Sequence, residues 1–160
     1  MKSEQFKSII TKIVEPELAI LGYNVDRNPP SYDEPGDIWF EKIIHDSIFI
    51  VIDFQPSWLA PDHTVDFAVN LARNNPSYDV YRKRKGSPEY LLDERLAPWL
   101  WTQDRNDPKW KIDYWWHFLN ETELENSCRD VLDKLQKFGI PFLENLASKS
   151  PKSWYSRPKS

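Results

Sequence analysis

Cysteine is nearly absent from this 160-residue chain: Cys128 stands alone, which excludes an intramolecular disulfide framework and suits a reducing compartment. Glycine is almost as scarce, with four residues, so backbone cradles for phosphate are few. No Gly-x-Ser-x-Gly elbow, P-loop or dinucleotide fingerprint occurs. Long apolar runs are missing too. The longest, Ile48 to Ile52, is far too short to span a bilayer, and the opening MKSEQFKSIITKIVEPE is amphipathic rather than a secretory leader. Large positive charge is also lacking. A net charge of −4 argues against a generally nucleic-acid-seeking surface. These absences lead to the expectation of a soluble, intracellular, cytoplasmic protein without a cofactor.

What is present is an aromatic load of eight Trp, eight Phe and seven Tyr. Rings of this kind build cores, and Trp and Tyr also carry a polar group that wants a partner, so some of them suit a binding surface. Hydrophobic residues at 40% and charged residues at 29% are ordinary for a folded domain. One α+β domain over residues 1–148 is expected, with an antiparallel meander packed by an N-terminal helix and C-terminal helices. Residues 149–160 read as a basic, flexible tail.

The first segment carries Phe6, Ile9, Ile10, Ile13 and Val14 at helical spacing, with Leu18 and Leu21 continuing it. Ser3 is placed to cap it, Gly22 to end it, and Pro16 to kink it or start a new turn. Asn24 to Gly36 has loop composition. Three strands are then expected at Ile38–Ile44, Ile48–Phe54 and Val65–Leu71. The second is apolar throughout, as a central strand is, and the third alternates with period two. The double-proline stretch from Gln55 to Asp62 is read as a turn.

Tyr78, Val80 and Tyr81 suit a short edge strand, and Glu89–Leu100 is read as helical up to Pro98. The run from Trp110 to Phe118 is read as a further strand or its approach. Asn120, with Glu123 three residues on, caps the last long helix, whose apolar face is Leu124, Cys128, Val131, Leu132 and Leu135. Gly139 is read as its stop, and Pro141 as the opening of a short second helix.

The chemistry-bearing residues are sparse. His45, His63 and His117 share no metal-ligand spacing, and one thiol cannot form a cluster. Asp53 closes a strongly apolar strand, a costly place for an acid unless Arg or a backbone donor pairs with it. Asp53, Asp66 and His45 together frame one reading, a small hydrolase or metal-dependent enzyme. The basic run Arg82–Lys85 beside Tyr78 and Tyr81 frames another, nucleic-acid binding. Cys128, on an apolar helix face, is read as a buried structural thiol. The leading reading is a non-enzymatic interaction module, of accessory or immunity kind, that meets another protein through acid-rich loops and exposed rings.

Leu91-Leu92-Asp93-Glu94-Arg95-Leu96, Tyr114-Trp115-Trp116 and Phe138-Gly139-Ile140-Pro141-Phe142-Leu143 together resemble a bacterial family catalogued as domain of unknown function 4304. The resemblance covers most of the chain, with the Tyr23–Asp37 and Trp99–Trp110 regions fitting less well. It implies the same helix, meander and closing-helix outline and carries no catalytic residues. It does single out Arg95, Trp115 and Trp116, to which Trp99 is added as a neighbour in the Trp-rich half. Arg stacks on rings and pairs with carboxylates, so this group is the expected binding surface.

Overall fold

The computed structural model describes residues 1–27, 29, 37–45, 48–57, 63–74, 91–96, 105–111 and 114–148. Tyr32, the Asp46-Ser47 connection, Trp58–Asp62, Tyr78–Tyr81, Arg82–Lys85, Trp99 and the 149–160 tail lie outside those residues.

Helix α1 (Ser3–Ile20) presents Phe6, Ile9, Ile10, Val14 and Leu18 on one buried face. Its N-cap is Lys2 rather than Ser3, and no side chain bonds there. Gly22 ends it as expected, with φ +90°. Tyr23 N–H donates to Leu18 O at 3.1 Å and Gly22 N–H to Ala19 O at 3.0 Å. This is the bond pattern of a glycine-terminated helix, and Tyr23 and Leu18 pack together in the core below it. Pro16 does not end the element. The face docked on the sheet holds the helix through the one missing donor.

The chain then enters β1 (Asn24–Asp26), β2 (Ile38–His45), β3 (Ile48–Pro56), β4 (Asp66–Asn74) and β5 (Leu91–Arg95). Every adjacent pair is antiparallel, in the order β1-β2-β3-β4-β5, and β6 (Trp116–His117) adds to β4. Strand β1 was not foreseen in the loop-like stretch after Asn24. Its three residues are held by pairing with Trp39 to Glu41. Strand β3 runs on through Pro56, which pairs with Phe67, so the expected turn begins later. The Glu89–Leu100 stretch is the clearest correction: Leu91–Arg95 is a strand, paired with Asn70 to Asn74.

Helix α2 (Glu121–Lys134) is capped as its sequence predicts. Asn120 Oδ1 accepts from Glu123 N–H at 2.9 Å, while Glu123 Oε2 reaches back to Leu119 N–H at 2.7 Å. Gly139 does not stop it. The chain passes through a wide π-turn (Leu135–Gly139) directly into α3 (Ile140–Ser148). Gly139 sits at a close approach instead: a Cβ there would lie 2.8 Å from Leu135 Cδ2, so that side chain would have to shift. Pro141 sits in the first turn of α3, just past the π-turn.

All three helices cover one sheet face. Ile38, Phe40, Ile50, Ile52, Phe54, Phe67, Val69 and Leu71 point into this layer to meet α1, α2 and α3. Phe67 is its hub, with ring centroids 5.7–6.2 Å from Phe6, Phe54, Trp116 and Phe118. Arg73, fully buried at the far end of β4, donates to Leu146 O in the last turn of α3. Desolvation lowers its pKa, but the guanidinium stays charged, and the helix C-terminus is where a cation is welcome. Phe67→Ala is expected to cost about 3–5 kcal/mol of unfolding free energy. Urea denaturation would check this, with a lowered midpoint at unchanged slope.

Candidate interaction site

Strand pairing brings two of the residues singled out by sequence into one line. Asp26 lies opposite Trp39, Trp39 opposite Asp53, Asp53 opposite Asn70, and Asn70 opposite Arg95. Asp53 and Arg95 therefore flank Asn70 in a single row across five strands. Trp39, Asp53 and Asn70 lie on the sheet face away from the helices.

The requirement that Asp53 be paired is met at one carboxylate oxygen by a side-chain amide. Asn70 Nδ2 donates to Asp53 Oδ2 at 2.9 Å and to Gln55 Oε1 at 3.0 Å. Trp39, 3% exposed, has a buried indole N–H without an acceptor among the described residues, and Glu41 on the same strand and Asp37 just before it are also buried.

The enzyme reading needs Asp53, Asp66 and His45 together. Asp66 lies four residues from Asn70 along β4, about 13 Å at the strand rise, and it accepts a hydrogen bond from Ser57 Oγ. His45 pairs with Ile48, five residues from Asp53 along β3, about 16 Å away along the strand. These three positions are not gathered, and among the described residues no group of His, Cys, Asp and Glu is arranged to hold a metal ion. Cys128 is buried, and its thiol is pushed up to about 12 by desolvation and by Glu125. It stays protonated and unreactive across the physiological range.

The Trp-bearing segment divides sharply. Trp116, on β6, pairs with Phe67 three residues along β4 from the partner of Arg95, so the two backbones stand about 10 Å apart along that edge. Its ring is buried, stacked on Phe67 at 5.9 Å, and its indole N–H donates to Asp130 Oδ2 at 2.9 Å. Trp116 therefore belongs to the core. Phe118, two residues on, is buried beside it.

Extended backbone sends alternate residues to opposite sides. With Trp116 and Phe118 inward, Trp115, His117 and Leu119 face out: Trp115 is half-buried, His117 exposed, and Leu119 74% exposed. Next to them Tyr114 packs edge-on against Trp116 at 5.3 Å, and the Lys109 ammonium lies 5.6 Å from the Tyr114 ring centre. Ser127 Oγ donates to His117 O at 3.3 Å, tying the segment to α2. His117 and Leu119 were not foreseen as surface-site residues. The period-two pattern from Tyr114 onward was the available signal, but the strand was read only to Phe118 and Leu119 was assigned to no element.

No family model matches the chain, and no curated protein or solved structure matches it either.

Two outcomes test this geometry. Asn70→Asp sets two carboxylates opposite each other and should cost about 1–3 kcal/mol near neutral pH. Repulsion raises the folded-state pKa of that pair, so the deficit should be complete above the raised value. It should shrink as pH falls through that value and vanish below the unfolded carboxylate range. Asn70→Ala, followed by the same pH-dependent denaturation, should lack that relief. For Cys128, iodoacetamide at mildly alkaline pH should label native protein only as fast as it unfolds.

Proposed function

We propose that this chain is a non-enzymatic binding module, cytoplasmic and of accessory or immunity kind, that docks another protein on the outward stripe Trp115, His117 and Leu119. The observation that carries the proposal is the stripe itself. A large aliphatic side chain 74% exposed stands two residues from an exposed His and four from a half-exposed Trp, on a segment anchored by its buried alternates. Rigid aromatic side chains of this sort anchor interfaces because they cover much area at small entropic cost. Separation of Asp53, Asp66 and His45 along the strands supports a binding role over a hydrolytic one. The resemblance to domain of unknown function 4304 is kept as a proposed kinship, and it is compatible with this reading because it carries no catalytic residues.

The test is quantitative capture from the native host with tagged protein, comparing wild type with a Trp115→Ala/Leu119→Asp variant. An Ile20→Asp variant serves as control: Ile20 is exposed and lies 14 residues along α1 from Phe6, about 21 Å from the ring that packs on Phe118. A partner recovered with wild type and control should fall at least about tenfold with the stripe variant, since losing hot-spot side chains costs about 2 kcal/mol or more. All three proteins should keep the same circular dichroism and melting temperature. Equal recovery with the stripe variant would overturn the proposal.

A further inference from the structure

The seam between α1 and α2 is laced by polar contacts that advance together along both helices. Gln5 Nε2 donates to Glu121 Oε1 at 2.6 Å, and Lys12 Nζ to Glu125 Oε1 at 3.4 Å. One step further on, Glu17 of α1 and Arg129 of α2 come to the same seam with opposite charges. They do not pair. Both side chains are exposed, and with Leu132, Asp133 and the exposed Gln136 they line a shallow, open groove of about 270 Å³.

Among the described residues neither Glu17 nor Arg129 has a hydrogen bond or ion pair. Asp133 is differently placed, bound by Lys137 at 3.0 Å and Lys134 at 3.4 Å, and those bonds hold its carboxyl below the usual range. The lining thus combines a cation from α2 and an anion from α1, a neutralised acid, an amide, and the largely buried aliphatic side chain of Leu132. Gln136 enters from the π-turn Leu135–Gly139, a departure from α-geometry of the kind that recurs at functional positions.

We propose that this groove binds a small zwitterion, an α-amino acid with a short apolar side chain. Arg129 meets the carboxylate, whose two oxygens match its planar fork. Glu17 meets the ammonium, and Leu132 lies under the aliphatic group. The volume sits just below the range typical of drug-sized ligands and suits a molecule of this size. A ligand with both charges also completes the seam step that the protein leaves open, at no net charge.

L-valine is the probe, with isovalerate and isobutylamine as isosteres lacking the ammonium and the carboxylate respectively. Amide chemical shifts of the ¹⁵N-labelled full chain are followed through each titration. Saturable shifts are expected around Glu17 and from Arg129 to Gln136 with L-valine, and affinity for each isostere should be at least about tenfold weaker, the cost of one charged contact. Arg129→Gln should weaken L-valine about tenfold and leave isobutylamine unchanged; Glu17→Gln should weaken L-valine and leave isovalerate unchanged. Absence of saturable shifts, equal affinity for the isosteres, or variants that bind L-valine as wild type does would each overturn the assignment. Shifts confined to residues 115–119 would belong to the protein-docking stripe and would also count against it.

Discussion

The contacts around Phe67 set the rest of this molecule. Its ring meets Phe6 from α1, Phe54 from β3, Trp116 from β6 and Phe118 from the approach to α2, so four separate segments converge on one side chain. Rings at these separations add a specific geometric preference to their large buried area. Because the contact is directional as well as apolar, it fixes the angle at which α1 crosses the sheet and the register of β6 against β4. A purely aliphatic layer of equal area would hold the same elements together with less control over either.

The outward stripe is a consequence of that control. Trp116 and Phe118 are drawn inward by Phe67 and by the Asp130 acceptor, and the two-residue period leaves Trp115, His117 and Leu119 no other side. The surface is displayed by the core, and changing either buried ring would disturb it without touching it. This is also why a count of tryptophans in the sequence could not say which of them is available. Trp115 and Trp116 are neighbours in the chain and opposite in environment, and only the pairing of Phe67 with Trp116 decides which is which.

Much of the fold was legible where one local signal had no rival. The alternation in β4, the apolar run of β3 and the Asn120–Glu123 cap each correspond to a single structure, and each formed. Leu91–Arg95 was misread because a short apolar-polar run fits a helix turn and a strand equally well; its pairing with β4, remote in sequence, settles the matter. Gly139 was read as a stop, but it lies inside continuous helix; a glycine beside a close side-chain approach looks the same in sequence as one at a positive φ. The pairing need of Asp53 was foreseen, but its partner Asn70 was not, because an amide seventeen residues away becomes a neighbour only through register.

The π-turn shows how the same core reaches the α1–α2 groove. A helix that continued regularly past Lys134 would carry Gln136 and its neighbours around by the ordinary 3.6-residue turn; the wider turn resets the phase between α2 and α3. The reset is held at both ends. Gly139 leaves room for the Leu135 side chain, and Arg73 of β4 clasps the last turn of α3 through Leu146 O. Strand β4 thus anchors the hub ring, the docking of α3 and, through both, the turn that carries Gln136 into the groove lining. Strand β4 reaches the other end of the α1–α2 seam as well, because Phe6, next to the Gln5–Glu121 contact, packs on Phe67.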